Sequence, residues 1–90
     1  MGSLRFARRC WVWKSIRPEE NRYRFYSLSV QRDLWGKWGV VRCWGRIGGG
    51  SKERYLWPER EEEVQDIFRA VHQSRLRHGY TLVRGSIPPS

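Results

Sequence analysis

Residues 43–50 read CWGRIGGG, with Trp44, Gly45 and Arg46 in a row and three consecutive glycines closing the run. An indole offers a flat stacking surface, and a guanidinium is a permanently charged, planar fork that matches phosphate. Arg42 stands two positions before Trp44. On a strand, Arg42, Trp44 and Arg46 share one face if the pleat holds through Gly45. An aromatic ring between two guanidinium groups suits a partner carrying a flat base or sugar next to phosphate, as single strands and duplex ends do. The glycines Gly48–Gly50 add backbone that a ligand can approach closely, with N–H groups for an anion. A competing reading makes Trp44 one more core aromatic, with Gly45 marking a bulge that turns it inward. Spacing alone leaves both open.

Charge favours the first. Residues 1–54 hold 13 Lys/Arg against 4 Asp/Glu, whereas residues 55–90 hold 5 of each, so the whole formal excess of +9 lies in the first part of the chain. A basic region of this kind is the footprint expected for a polyanion such as nucleic acid. The bland alternative is an arginine-rich composition, since 15 of the 18 basic residues are Arg, but composition alone does not concentrate charge in one region. Lys37, Lys52 and Arg54 fall in the same basic part and join the candidate surface as an electrostatic surround.

Other chemistry is not legible. Cys10 and Cys43 have no metal-ligand spacing and no disulfide framework, so both thiols are expected free, as small core residues in a reducing cytosol. His72 falls just past an apolar stripe and reads as a boundary residue; His78 closes a helix. The acidic run Glu59–Glu63 is explained by a helix dipole better than by paired catalytic carboxylates. With no phosphate loop and no nucleophile–base pair, the expectation is a non-enzymatic protein with no cofactor and no metal. There is no signal peptide pattern and no apolar run of membrane-spanning length, which gives a cytoplasmic expectation without a membrane partner.

Ninety residues suffice for one domain, and at that size only roughly 60–65% of the unfolded surface is buried, so the six Trp, four Tyr and three Phe must supply much of the core. WVWKSI (11–16) suits a strand, RPEEN (17–21) a turn, and YRFYSLSV (23–30) alternates as a half-buried strand. QRDLWGKW (31–38) reads as a hairpin connection with Asp33 and Gly36 as turn residues. WGVVRCWGRI (38–47) is a third strand, KERYLW (52–57) a fourth, and YTLV (80–83) a fifth. Within the third strand the charge-free side, Val41 and Cys43 continued by Ile47, is expected to face the core. Trp38, Val40, Arg42 and Trp44 then take the more exposed side. Trp11, Trp13, Trp35, Trp38 and Trp57 are expected to pack, although Trp35 and Trp38 flank a hairpin where exposure is open to them.

Helix signals span 58–78. Pro58 suits a first helical position, glutamates crowd the first turn, and Val64, Ile67, Phe68 and Val71 keep the i, i+3, i+4, i+7 spacing of one apolar stripe. Arg75, Arg77 and His78 fill the last turn, and Gly79 suits the residue after the cap.

At Trp44-Gly45-Arg46 the chain resembles the WGR domain family. RFYSLSVQRDLWGKWGVVRCWGRIGGG (24–50) is similar to the family's opening strands, hairpin and signature in order, and RLRHGY (75–80) resembles the basic, Gly-Tyr close of its helix. The resemblance spans about residues 11–84. It implies an α+β fold, a small twisted antiparallel sheet of four to five strands with one α-helix across one face. A basic N-terminal segment (1–10) would precede that domain and a tail (85–90) would follow it. In the DNA-break-responsive poly(ADP-ribose) polymerases, WGR domains contact DNA near a strand break. Their tryptophan packs on the terminal sugar and their arginine helps join neighbouring domains. The resemblance therefore implies a DNA-end contact for Trp44 and a DNA or partner-domain contact for Arg46. The chain shows no catalytic, zinc-finger or helical regulatory domain, and is more similar to short stand-alone or fused bacterial WGR proteins.

The expectation is thus a DNA-binding module preferring ends, nicks or 5′-phosphorylated termini, monomeric by default. Its candidate residues are Trp44, Arg46, Arg42, Gly45, Lys37, Lys52 and Arg54. The alternative is a protein-interaction module that docks on an enzyme or another acidic partner.

Overall fold

The computed structural model describes residues 8–86. Five strands follow in order, interrupted by one helix: β1 Arg8–Arg17, β2 Arg22–Arg32, β3 Trp38–Arg46, β4 Ser51–Leu56, α1 Glu61–Arg77 and β5 Thr81–Arg84. They form one antiparallel sheet in the order β4-β3-β2-β1-β5, with β4 and β5 at the edges. The helix lies against one side of it, so the architecture is α+β.

Turn chemistry sets the register of the long central strands. Between β1 and β2, Pro18–Glu20 make one 3₁₀ turn, and Asn21 closes it in the left-handed conformation at φ 51°. Between β2 and β3, the Asp33 side chain accepts the N–H groups of Trp35 and Lys37 at 2.9 and 2.8 Å, while Gly36 takes φ 80°. An aspartate that mimics a backbone turn in this way fixes a tight connection. Arg24 then stands opposite Arg46, Tyr26 opposite Trp44, Leu28 opposite Arg42 and Val30 opposite Val40. The pairing runs without a break through Gly45, so no bulge turns Trp44.

The core lies between the sheet and α1. Trp11 and Trp13 of β1, Tyr26, Leu28 and Val30 of β2 and Val40 of β3 are buried against Val64, Phe68 and Val71 of the helix. Trp11 and Phe68 rings meet at 4.7 Å between centroids. Trp13, fully buried, donates its indole N–H to Nδ1 of His72 at 3.0 Å. His72 therefore completes the core's polar accounting, a closer involvement than a boundary position suggests.

This packing reverses the expected orientation of β3. Val40, Arg42 and Trp44 are on the helix side, and Val41 and Cys43 are half-buried on the opposite, open side. The reason is cross-strand register: the bulky aromatics of β1 and β2 decide which side the helix covers, and β3 must follow them. Arg42 is half-buried beside α1, in a hollow with Ile67, Ser74 and Arg75, and is accommodated there by Tyr26. Its guanidinium lies over the Tyr26 ring, 5.7 Å from the centroid, with Nε donating to the Tyr26 hydroxyl. The thiols likewise leave the core: Cys10 is exposed and Cys43 half-buried, both unpaired. Trp35 and Trp57 stay outside the core as well, at 86% and 65% exposure.

The helix also starts later than Pro58 predicts. Its N-cap is Arg60, and the Glu63 carboxylate reaches back to the Glu59 N–H at 3.3 Å. Pro58 is buried ahead of the helix rather than within its first turn. At the other end, Tyr80 N–H bonds to Arg75 C=O and Gly79 N–H to Leu76 C=O, with Gly79 at φ 85°. That is the paired closure expected of a glycine after the cap. It places Tyr80 in the core rim, and β5 begins one residue later than expected.

Candidate nucleic-acid interface

The end of the sheet nearest the helix C-terminus gathers arginines around aromatic rings. β2 contributes Arg22, Arg24 and Tyr26 on the helix side, β3 contributes Arg42, Trp44 and Arg46, and the helix end contributes Arg75 and Tyr80. Tyr26 is the hinge of the group. Trp44 stacks on it at 5.9 Å and 14° between planes, and the Arg75 guanidinium sits 4.6 Å above its centroid. Arg75 is also 4.9 Å from the Tyr80 centroid, so one cation bridges two rings.

Trp44 is half-buried. One part of the indole rests on Tyr26, and its remaining surface lines a hollow of about 260 Å³ together with Gly45, Arg46, Arg24 and Tyr80. The side chain thus packs against the core and also walls an open recess.

Arg46 is exposed and held in place. Its two terminal nitrogens donate to the backbone carbonyl and side-chain oxygen of Asn21, each at 3.1 Å, and its guanidinium lies 5.4 Å from the Tyr23 ring centroid. The left-handed turn at Asn21 is what turns both oxygens toward it. Such a fork costs less ordering entropy when it meets a ligand than a free side chain does.

Gly45 has a steric origin. A Cβ at this position would lie 2.4 Å from the Gly50 carbonyl and 2.9 Å from the Ser51 Cα. The β3–β4 hairpin folds back so tightly that no side chain fits, and Trp44 and Arg46 gain their places from it.

Of the remaining candidates, Lys52 and Arg54 stand on β4 opposite Trp44 and Arg42 and extend the basic surface sideways. Arg42 itself lines a second, adjoining hollow of about 200 Å³ with Tyr26, Leu56, Ile67 and Arg75. Lys37 belongs elsewhere, in the hairpin at the opposite end of β3. Arg24, Tyr80, Arg75 and Arg22 were missed in the sequence. Arg24 had a legible signal, since it precedes Tyr26 by two on an alternating strand. The helix-end pair did not, because only the fold brings it to β2.

The cluster lacks counter-charge. Among the described residues the ion pairs are Arg17–Glu20 and Arg69–Asp66, and neither involves these arginines. Arg22 instead donates to Ser15 Oγ at 2.7 Å and to the His78 carbonyl at 3.1 Å. Guanidinium groups so placed raise a positive potential that an anion relieves. Among the described residues, no group of three or more His, Cys, Asp or Glu is placed to hold a metal ion.

A profile of the WGR domain family matches residues 11–86. The chain belongs to the WGR domain family. The signature residues of that family are Trp44, Gly45 and Arg46, and they are the wall, the hairpin contact and the clamped fork of the hollow just described. A similar protein is the uncharacterized protein y4dW of Sinorhizobium fredii, 30% identical over 71 residues. The match covers 79% of this chain and 34% of that protein, so the chain spans about a third of its relative's length. No solved structure matches the chain. Membership of the WGR family is consistent with a nucleic-acid-binding module. No helix among the described residues is long and apolar enough to cross a membrane.

Proposed function

We propose that this WGR domain binds DNA and prefers strand ends, nicks or 5′-phosphorylated termini. The observation carrying the reading is the hollow walled by Trp44, Arg46, Arg24 and Tyr80 beside guanidinium groups with no carboxylate partner. Trp44 stacks on the terminal sugar or base, Arg46 and Arg24 hold the terminal phosphate, and Arg42, Lys52 and Arg54 meet the phosphates that follow. An end suits a recess better than continuous duplex does, because a terminal nucleotide can enter it without being flipped out of a stack.

The test is fluorescence anisotropy with a 5′-phosphorylated blunt duplex, a closed dumbbell of matched sequence and a single strand. Wild type is expected to favour the open duplex. Trp44→Ala and Arg24→Ala are expected to lose that preference, with the tryptophan variant weakening binding by about 1–3 kcal/mol, the value of one stacked aromatic. Because Trp44 also packs on Tyr26, circular dichroism on the same sample must show the variant folded; the exposed Arg24 gives the test a second, non-core arm. Equal binding of all three ligands by wild type and variants would remove the end-reading site.

The open side of the sheet favours a second reading, docking on a protein partner. Tyr55 and Trp57 stand exposed there and stack on each other at 6.5 Å. A partner recovered after nuclease treatment, and lost in Trp57→Ser, would support it.

A further inference from the structure

Leu34 and Trp35 form the tip of the β2–β3 hairpin, at 51% and 86% exposure. Trp35 is the most exposed of the large apolar side chains described, and it is held out by a hydrogen-bonded turn. Asp33 Oδ1 accepts the backbone N–H groups of Trp35 and Lys37, the Asp33 N–H bonds to the Lys37 carbonyl, and the Gly36 N–H bonds to the Asp33 carbonyl, all within 3.0 Å. Arg32 ties the base of the loop through Nε to the Gly36 carbonyl at 3.3 Å, with its guanidinium 5.2 Å from the Trp38 centroid. A loop this ordered that presents an indole to water gains nothing in folding from the indole. The tip's flanking charges, Arg32 and Lys37, are positive; Asp33 has an oxygen committed to the turn, and the nearest helix carboxylate, Glu61, lies with Arg32 and Trp38 in a hollow at the base of the loop.

We propose that this tip is a second nucleic-acid contact, in which Trp35 wedges between base steps of a duplex whose end sits at Trp44. The inference rests on the DNA-end reading above and adds a distance to it. Strand β3 joins the two sites: Trp44 stands six positions after Trp38, about 20 Å at the rise of an extended strand. The tip lies beyond Trp38. At about 3.4 Å per base pair, Trp35 meets the duplex roughly six to eight pairs from the bound end. Apolar side chains on loops and ribbons commonly part base steps in this way, while neighbouring basic residues hold the flanking phosphates. Arg32 and Lys37 fill that second role. Two linked contacts on one duplex also raise affinity without any new contact at the end itself.

The test uses the same phosphorylated duplex with 2-aminopurine placed singly from the fourth to the tenth pair. Wild type is expected to raise the fluorescence at one or two neighbouring positions, as unstacking relieves quenching, and to leave the others unchanged. Trp35→Ala is expected to abolish the rise and weaken affinity about 5- to 150-fold, the range for one stacked base. Trp35→Phe is expected to retain most of both. Since Trp35 contacts solvent almost throughout, unfolding is not expected, and an unchanged melting temperature establishes this. If Trp35→Ala binds as wild type while Trp44→Ala loses the end preference, the wedge is wrong and the end site stands. If neither variant changes binding, both fail. A vesicle arm of phosphatidylglycerol and phosphatidylcholine completes the design: sedimentation with vesicles that depends on Trp35, with DNA binding unaffected, would assign the tip to a membrane surface and overturn the wedge.

Discussion

Each residue of the Trp44-Gly45-Arg46 signature has a different physical task. Trp44 joins the core to the recess through Tyr26, Arg46 is immobilised by the two oxygens of Asn21, and Gly45 makes room for the returning strand. The glycine is the least replaceable of the three. A methyl group there would press on the Gly50 carbonyl and the Ser51 Cα, which are backbone atoms and cannot swing away. Gly45→Ala should therefore destabilise the domain by about 1–3 kcal/mol, the usual range for overpacking. Urea unfolding should show a lower midpoint at an unchanged slope, the sign of lost stability without a change in surface exposed. A Gly45→Ala protein with the wild-type midpoint would show that the hairpin is looser than described.

Among the elements, α1 is the one that covers the sheet, so the core closes on its apolar face. Its apolar stripe is narrow: Val64, Phe68 and Val71 are the buried positions, with Ile67 partly buried. Phe68 touches the most, meeting the Trp11, Trp13 and His72 rings. Phe68→Ala should cost about 3–5 kcal/mol. For a domain of this length each kilocalorie shifts the melting temperature by about 4–8 °C, so a fall of at least about 12 °C is expected by calorimetry. That loss is a large part of the total stability of a small domain. The variant is a useful contrast to Arg24→Ala, which should leave the melting temperature unchanged while altering DNA binding.

At the scale of the whole molecule, the charge asymmetry of the chain becomes a spatial one. Arginines from β2, β3 and the helix end converge at one end of the sheet, and Lys52 and Arg54 widen the patch along β4. If phosphate neutralisation drives binding, the logarithm of the binding constant falls linearly with the logarithm of salt, by about 0.9 per phosphate contacted. Replacing Arg42 or Arg54 by alanine should reduce that slope by about one contact each. Lys37→Ala should alter it only if the hairpin tip also engages the duplex. Anisotropy titrations between about 50 and 200 mM salt separate these cases, and a slope unchanged by every arginine replacement would point away from phosphate.

The element order, the hairpin turns at Asp33 and Gly36, the helix stop at Gly79 and the family were all legible along the chain. Each of these rests on local chemistry: a strand's period of two, a side chain that mimics a turn, a φ that glycine adopts freely. The sequence also placed Trp44, Arg42 and Arg46 on one face, because alternation within a strand is local too. Which face that is could not be read from β3. A charge there suggested solvent, yet the side the helix covers is chosen by Trp11, Trp13, Tyr26 and Leu28 on other strands, through cross-strand register. The same non-local step brings Tyr80 from after the helix, and Arg24 from the preceding strand, to the recess beside Trp44. A recess assembled from three elements exists only once the sheet has closed and the helix has docked, so tertiary structure alone decided its walls.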